Sequence, residues 1–405
     1  MNEGRTGCCI VGGGPAGMMA GLLLARAGVR TVLLEKHADF LRDFRGDTIH
    51  PSTLEVMAEL GLLESFLKRP HQKVTTLAGN LGDTLVTVAD FTHLPTRCKF
   101  VAFMPQWEFL NFLAEEARRF PTFDLRMQAR AEDLLWENGR VAGVRAQTPS
   151  GTLEIRAGLT IAADGRESVV RQRAGLDPME LGAPMDVLWL RLSKRPDDPH
   201  QTFGYIRDGR IMALIDRGAY WQCAYVISKG SHSRLQEGGL DEFRRQVSAI
   251  VPFLSDRVDE IASWDDVKLL TVRVNRLRQW YRSGLLCIGD AAHAMSPIGG
   301  VGINLAIQDA VAAANMLAGR LRSGEVTVQD LRAVQQRREA PAKLTQTLQL
   351  FIQSKIIGKV LADGRAPLLS RLPALVRRLP FLPRIPGRLV GLGFRPEHVD
   401  RTGVA

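Results

Sequence analysis

The sequence predicts an α/β fold with a parallel sheet, an inserted and mainly antiparallel second sheet, and a helical C-terminal tail. Three observations support this prediction. Short apolar strands and helices alternate at the start of the chain, which is typical of a parallel sheet. Stretches of period two with turn residues between them follow in the middle, and prolines interrupt the last part. The length of 405 residues indicates more than one domain.

Glycines at three fixed positions separate the first predicted strand from the first predicted helix. Gly12, Gly14 and Gly17 form a G-x-G-x-x-G pattern. In a Rossmann-like unit the first glycine permits a tight turn, the second lets the backbone approach a diphosphate, and the third lets the helix pack on the strand. Pro15 and Ala16 begin the helix, whose free amides and positive dipole end suit phosphate groups. The pattern therefore predicts a dinucleotide site.

An acid ends the second predicted strand. Glu35 stands about 20 residues beyond the first glycine, where an acid accepts hydrogen bonds from a ribose hydroxyl. Such an acid disfavours a 2′-phosphate, so the residues favour FAD or NAD over NADP. Lys36, the next residue, is included in the predicted site.

Two later segments repeat the arrangement of an apolar strand that ends in an acid. One reads LTIAADGRESVVRQR, with Asp164 at the strand end. The other reads GLLCIGDAAHAMSPIGGVGINL, where Gly289 and Asp290 follow the strand and further glycines lead into an apolar helix. The carboxyl ends of strands in an open α/β sheet are where dinucleotides bind.

These three motifs, in this order, resemble those of the class A FAD-dependent monooxygenases, the para-hydroxybenzoate hydroxylase type, over residues 5–345. The resemblance implies a Rossmann-like FAD-binding domain. It also implies NADH or NADPH as reductant and O2 as co-substrate. Because the sequence has no second dinucleotide fingerprint, the reductant would have to dock transiently. In the implied cycle a flavin hydroperoxide hydroxylates an aromatic or polycyclic small molecule.

The resemblance also assigns residues to the cofactor. The predicted FAD contacts beyond the first motif and Glu35 are Lys36, Arg45, Gln106, Ala131, Asp164, Gly289, Asp290, Pro297, Gly302, Ile303 and Asn304. Arg45 is preferred to Arg42 as the arginine that backs the flavin. The amides at Gly302 and the two residues after it are expected to face the pyrimidine edge of the isoalloxazine, where reduced flavin is negative. Asp164 is expected to be largely structural.

The substrate side is less well defined by the sequence. Pro297 has a fixed φ and no N–H, which suit a rigid wall beside the flavin. A phenolic substrate would need a base, for which His50, Tyr205 and Tyr225 are the candidates. We assign His50 to catalysis together with Pro297, and we assign the two tyrosines to substrate binding. His293 is expected to pack under its turn.

Three other functions share some of these features. An FAD-dependent reductase or dehydrogenase of the geranylgeranyl-reductase type would act on a lipid-like substrate without oxygen. A flavin-dependent halogenase is disfavoured, because residues 219–223 do not match W-x-W-x-I-P. An FAD-binding sensor or scaffold would hold a flavin that pyridine nucleotides do not reduce.

The FAD-binding domain is predicted to be discontinuous, with the substrate-binding sheet inserted into it. The predicted segments are 1–72, 99–180 and 271–345 for the FAD-binding domain, 73–98 and 181–270 for the substrate-binding sheet, and 346–405 for a basic, proline-rich helical region. The predicted antiparallel strands are 202–208, 210–216 and 220–227.

Charge and cysteine content restrict the partners. The net charge is +10, and residues 350–405 supply +7 of it, from ten Lys/Arg and three Asp/Glu. Aromatic residues make up 6% and form no stacking pattern, so we expect no nucleic-acid partner. Five cysteines without paired spacing indicate a reducing cytoplasm and neither a disulfide framework nor a metal site.

The basic tail leaves three interpretations open. It could pack on the FAD-binding domain with solvated arginines, form a peripheral membrane contact, or line a substrate channel. No run of the sequence has the length of a membrane span. We expect a small-molecule substrate and a monomer or homodimer.

Overall fold

The computed structural model describes residues 5–41, 48–199, 203–324, 326–363 and 367–400. The strands are β1 (Thr6–Val11), β2 (Thr31–Leu34), β3 (Thr48–Ile49), β4 (Gln72–Val74), β5 (Thr76–Leu81), β6 (Thr84–Asp90), β7 (Val101–Phe103), β8 (Phe123–Arg126), β9 (Arg130–Glu137), β10 (Arg140–Thr148), β11 (Gly151–Ala162), β12 (Pro178–Glu180), β13 (Met185–Ser193), β14 (Phe203–Arg207), β15 (Arg210–Asp216), β16 (Tyr220–Ser228), β17 (Lys268–Leu270), β18 (Asn275–Leu277), β19 (Tyr281–Arg282) and β20 (Leu285–Cys287).

The helices are α1 (Pro15–Arg26), α2 (Pro51–Glu59), α3 (Leu63–Phe66), α4 (Gln106–Ala117), α5 (Val169–Arg173), α6 (His232–Glu237), α7 (Leu240–Ile250), α8 (Gly302–Ser323), α9 (Val328–Ile352), α10 (Gly358–Asp363), α11 (Pro367–Arg378) and α12 (Arg384–Gly391). One π-helical turn, Gln353–Ile357, joins α9 to α10.

The first sheet is the predicted parallel sheet. Strands β20, β11, β1, β2 and β8 run parallel in that order, with β19 antiparallel at one edge and the β9–β10 hairpin extending β11. The central strand β1 reads TGCCIV and is almost completely buried, as expected for a strand covered on both faces. Helices α1 and α8 pack against each other beside it. This confirms the predicted Rossmann-like half.

The second sheet has the order β17-β13-β16-β15-β14-β5-β6. All its pairs are antiparallel except β14 with β5. Strands β15 and β16 confirm the alternation seen at 210–216 and 220–227, and β14 lies within 202–208. The β14–β5 pair joins the two predicted insertions in one sheet.

Helices α8 and α9 carry the polypeptide from the parallel sheet to the tail. Residues 298–323 are long and apolar enough to cross a membrane, but 72% of the most apolar window is buried inside the protein, as in a core helix. Helix α9 continues past residue 345, so the predicted domain boundary falls inside a helix. No glycine or proline between 342 and 357 would have ended it earlier.

The tail forms short helices, as its prolines predict. Pro383 precedes α12, and its carbonyl accepts a hydrogen bond from the amide of Asp90 at the end of β6 (2.9 Å). Gly387 lies so close to the same strand that a Cβ would stand 2.0 Å from the Asp90 carbonyl oxygen. The last part of the tail is therefore fixed on the body of the protein.

Candidate functional site

Four parallel strands end side by side at one edge of the first sheet. Val11 pairs with Ala162 and with Leu34, and Ala162 pairs with Cys287. The motif residues that follow β1, β2, β11 and β20 are, in turn, Gly12, Glu35, Asp164 and Gly289 with Asp290. The edge therefore brings together the three motifs that lie far apart in the sequence.

The first turn has two positions that only glycine can occupy and one that is open. Gly12 has a φ of +102°, and a Cβ there would lie 2.4 Å from the carbonyl oxygen of Ala163. A Cβ on Gly17 would lie 1.9 Å from the carbonyl oxygen of Gly12. Gly14 has an ordinary φ of −72°, and no heavy atom lies within 4 Å of its Cβ position. The space in front of Gly14, at the amino end of α1, is therefore free for a ligand.

Glu35 lies beside this turn. Its carboxylate accepts hydrogen bonds from the amides of Gly13 (2.8 Å) and His37 (3.0 Å), and its side chain is buried. The two amides fix the carboxylate at the end of β2, next to the glycine turn. Lys36 is exposed at the same strand end.

Asp164 has structural contacts. It accepts hydrogen bonds from the Ser168 hydroxyl (2.5 Å) and the Val170 amide (3.2 Å), which lie at the start of α5. Burial raises the pKa of Asp164, although both hydrogen bonds favour the anion. These contacts agree with the structural role expected for this residue.

Asp290 presents its carboxylate at the carboxyl edge of the first sheet, after β20. Its side chain is 32% exposed and accepts a hydrogen bond from Nε of Arg166 (3.1 Å). Arg166 also donates to the carbonyl of Met295 (3.2 Å), so it ties the second motif to the third. Arg166 was not among the predicted site residues, although it follows the Asp-Gly pair directly.

The loop that contains Pro297 is held from α9. The Gln349 side chain accepts from the amide of Ser296 (3.1 Å) and donates to the carbonyls of Ser296 (3.1 Å) and Ile298 (2.9 Å). Gln346 donates to the carbonyl of Ala294 (3.0 Å). Pro297 itself is partly exposed, and the loop that carries it has little freedom to move.

The glutamines of α9 were not among the predicted site residues. Gln346, Gln349 and Gln353 recur at three and four residues on one face of α9 and its continuation, and all three are buried. A polar face on a helix normally indicates solvent. One feature of the sequence could have indicated their burial: all three side chains are amides and not charged groups. An amide side chain can both donate hydrogen bonds to backbone carbonyls and accept them from backbone N–H groups.

His50 and Asn304 connect the start of α2 to the start of α8. The Asn304 Oδ1 atom accepts from the His50 amide (3.2 Å) and the Thr53 hydroxyl (2.7 Å). His50 is buried, and its Nδ1 donates to the carbonyl of Val390 in the tail (2.6 Å). Burial lowers the pKa of His50 to about 4. These contacts give His50 a structural position, and they do not support the catalytic role that the sequence suggested.

A buried ionic network lies behind the turn at Gly289. Asp309 on α8 accepts from the Gly289 amide (3.0 Å), from His293 Nε2 (2.6 Å) and from Arg338 Nε (3.0 Å). Arg338 also contacts Glu397 near the end of the tail (3.2 Å). Burial opposes the charge on Asp309, but His293 and Arg338 hold its pKa below the ordinary value. The expected packing role of His293 thus has a specific partner, which the sequence did not identify.

Tyr205 and Tyr225 lie on the face of the second sheet that α7 covers. The Tyr225 hydroxyl donates to Gln246 on α7 (2.8 Å), and its side chain is buried. Tyr205 packs against the same apolar cluster, and Asn80 is hydrogen-bonded to its hydroxyl. Burial raises the pKa of both phenols. Their positions do not support the predicted substrate contacts.

The opposite face of that sheet points toward the FAD-binding half. Val187 and Ala224 are buried there against Val274, which precedes β18. Trp189 and Ala213 pack against the same cluster but remain partly accessible. These two side chains are the better candidates for a substrate wall.

Two further predicted contacts, Gln106 and Ala131, lie in the described part of the chain. Gln106 is the first residue of α4 and is partly exposed. Ala131 follows Ala129 by two residues on the chain, and the Ala129 amide donates to the Glu35 carbonyl (2.8 Å). Arg45 and Arg42 lie outside the described residues.

The described residues fit FAD. The open position at Gly14 leaves room for a diphosphate on the amides of α1. Asp290 presents a partly exposed carboxylate, and the helix α8 begins at Gly302, where its first amides have no acceptor within the helix. Among the described residues, the Nδ2 atom of Asn304 is buried without a hydrogen-bond partner.

Comparison with known proteins gives a consistent result. A family model for an FAD binding domain matches residues 5–347. The chain is 35% identical over 392 residues to 6-methylpretetramide 4-monooxygenase from Streptomyces rimosus, covering 93% of this chain and 92% of that protein. It is 25% identical over 336 residues to para-nitrophenol 4-monooxygenase from Pseudomonas sp. strain WBC-3, covering 80% and 81% respectively.

The structure is similar to that of OxyS anhydrotetracycline hydroxylase from Streptomyces rimosus. The TM-score is 0.75 at 23% identity, and the match covers 96% of this chain and 76% of that one. This likeness concerns the fold.

Proposed function

We propose that this chain, which belongs to the FAD binding domain family and is an FAD-dependent oxidoreductase, hydroxylates a polycyclic aromatic small molecule. The observation that carries the proposal is the joint edge of β1, β2, β11 and β20, where all three motifs meet. The relative that covers nearly the whole chain is named for oxygenation of a 6-methylpretetramide, which supports the same substrate class.

FAD, when bound, would accept electrons from NADH or NADPH and use them to activate O2 for transfer of one oxygen atom to the substrate. The residues of the chain hold and orient this cofactor. The amides before α1 would receive the diphosphate in the space that Gly14 leaves open. Glu35 would accept hydrogen bonds from a ribose hydroxyl, and Asp290 would do so from the hydroxylated chain that leads to the ring.

The amino end of α8 would lie at the ring. The first amides of the helix, from Gly302 to Asn304, carry the partial positive charge of the helix dipole, which stabilises negative charge on a reduced ring. Pro297 would form a rigid wall, because the backbone on both sides of it is held by Gln349. The rigidity of this loop would hold the wall at one distance from the ring.

The substrate would lie between this loop and the second sheet. We assign Trp189 and Ala213 to the wall, since both lie on the face toward the FAD-binding half and remain partly accessible. Trp189 and Ala213 pair with Ala224 from its two sides, and this row of one large indole and two small methyl groups suits a flat, apolar ring system. We place the reaction in the reducing cytoplasm, where the five buried free cysteines stay reduced.

The test begins with the purified, FAD-loaded enzyme under anaerobic conditions. NADH and NADPH are compared for the rate at which each bleaches the flavin, with and without tetracyclic phenols. We expect one nucleotide to bleach the flavin and the phenol to accelerate the reaction. Isotopically labelled dioxygen is then admitted, and the product is expected to contain one labelled oxygen atom.

Two outcomes would contradict the proposal. Turnover of a lipid-like alkene without oxygen would indicate a reductase of the geranylgeranyl-reductase type. A flavin that neither nucleotide reduces, with any phenol tested, would indicate a binding protein rather than a hydroxylase.

A further inference from the structure

The C-terminal tail presents an apolar surface that is surrounded by arginines. Between positions 364 and 396 the chain has seven arginines and no acidic residue. The exposed large apolar side chains in this part are Leu375 (44%), Leu379 (36%), Phe381 (50%) and Ile385 (54%). A contiguous exposed apolar patch with polar residues at its rim marks an interaction surface.

Helix geometry places these side chains together on the outside. Leu375 lies in the last turn of α11, and Leu379 follows the helix directly. The Leu379 amide donates to the Leu375 carbonyl (2.8 Å), so the two side chains lie on the same side, with Arg378 beside them. A tight turn follows, in which the Leu382 amide donates to the Leu379 carbonyl (3.0 Å) and brings Phe381 to the same end of the helix. Ile385 then begins the exposed side of α12.

The body of the protein fixes this orientation. Gly387, two residues after Ile385, lies against the Asp90 backbone and leaves no room for a Cβ. Ile385 therefore points to the opposite side of α12, away from β6. Helix α11 lies against β6, and Val376 lines a cleft on that inner side together with Thr76 and Thr87. The exposed apolar side chains therefore lie on the side of α11 and α12 that faces away from β6.

The outer arginines are available to an anion. In the part of the chain that the structure describes, Arg378 and Arg388 make no ion pair, and both are exposed. Arg384 lies near Asp90, whose pKa the neighbouring charges and hydrogen bonds lower, so we do not count it. We define the basic apolar patch as Leu375, Arg378, Leu379, Phe381, Ile385 and Arg388.

We propose that the basic apolar patch docks the enzyme on an anionic lipid surface. Aliphatic and phenyl side chains at this exposure enter the boundary between headgroups and acyl chains, and arginines beside them attract anionic headgroups. A second copy of this chain is a poor occupant, because it would bring like charges together. Nucleic acid is also a poor occupant, because three of the four apolar side chains are aliphatic and offer no stacking surface.

The experiment is vesicle flotation of the full-length, FAD-loaded enzyme. Vesicles of phosphatidylcholine are compared with vesicles that contain equal parts of phosphatidylcholine and phosphatidylglycerol. We expect the enzyme to float with the anionic vesicles and to be released as the ionic strength is raised. It should stay in the dense fraction with the neutral ones.

Variants divide the apolar from the electrostatic contribution. Phe381→Ser with Ile385→Ser should lower binding to anionic vesicles about tenfold, because two large side chains no longer enter the lipid. Phe351→Ser is the matched control, since Phe351 is 53% exposed on α9 and outside the patch. Arg378→Gln with Arg388→Gln should remove most of the preference for phosphatidylglycerol. Flavin content and thermal stability should match wild type in all of them.

Three results would overturn the proposal. One is the absence of flotation with anionic vesicles at low ionic strength. Another is equal binding by the Phe381→Ser, Ile385→Ser variant and the Phe351→Ser control. A third is a complex with an acidic protein that depends on the patch while vesicles are not bound, which would make that protein the occupant.

Discussion

The two sheets of this protein carry their functional residues in different ways. In the parallel sheet, glycines and acids stand in loops directly after strands, and the strand register brings the loops to one edge. In the second sheet, the side chains that face the cofactor half are single positions within strands, and both faces of the sheet are apolar. A loop that follows a strand can be located from the sequence. When both faces of a sheet are apolar, the sequence does not show which face meets the cofactor half.

The largest effect on cofactor binding is expected at Gly14, in the loop after β1. We expect Gly14→Val to lower the affinity for FAD by about a hundredfold or more, because the side chain would fill the diphosphate space and displace at least two charge-assisted hydrogen bonds. The yellow fraction and the dissociation constant for FAD are the measurements. Gly319→Val is the control, since Gly319 is exposed in α8 with no heavy atom near its Cβ position. Equal flavin content in the two variants would contradict the assignment.

A second way to test the parallel half is to remove its buried network. We expect Asp309→Leu to cost about 3–5 kcal/mol in the free energy of unfolding, because Arg338 and His293 lose a buried partner. FAD affinity should fall as well, because the Gly289 amide loses its acceptor. Urea denaturation and flavin titration measure the two effects.

The control for this variant is a surface ion pair. Glu137→Gln removes a partner of Arg156 where both side chains are about half exposed, and it should cost less than about 1 kcal/mol. A similar cost for Asp309→Leu and Glu137→Gln would contradict a supporting role for the network.

Acid should weaken the contact between the tail and the cofactor half at His50. The pKa of this residue is lowered from 6.5 to about 4 in the folded protein, so the unfolded chain binds the proton first. Its contribution to stability is complete above pH 6.5 and is lost as the pH falls toward 4. By the linkage relation, the loss is about 3 kcal/mol at most.

This prediction is checked by urea denaturation between neutral and acidic pH. The His50→Gln variant should lose stability less steeply over that range than wild type. Identical slopes for His50→Gln and wild type would show that the buried histidine does not titrate on unfolding.

The smallest effects are expected for variants that test which face of the second sheet contacts the substrate. Tyr225→Phe removes the hydrogen bond to Gln246 and should cost about 1 kcal/mol of stability with an unchanged KM. Trp189→Ala should raise the KM for a polycyclic phenol several-fold, with Trp136→Ala, exposed on β9, as its control. A raised KM for Tyr225→Phe alone would return the substrate to the face under α7.

Much of the fold and of the cofactor edge was predictable. The G-x-G-x-x-G turn, Glu35 and the two later strand-end acids occupy the expected places, because their roles depend on local backbone geometry. Gln349 and Asp309 were not predictable in role. Their partners lie 53 and 20 residues away along the chain, and the burial of their helix faces is a result of packing.

The sequence by itself determined the cofactor, the parallel sheet and the presence of a second sheet. Each of these follows from a short pattern of neighbouring residues. The patterns are a glycine that no side chain can replace, an acid directly after a strand, and apolar residues at every second position. The tertiary structure decided which face of the second sheet meets the cofactor half and how the tail is attached. Those outcomes depend on contacts such as His50 with Val390, and Arg338 with Glu397, between residues far apart in the chain.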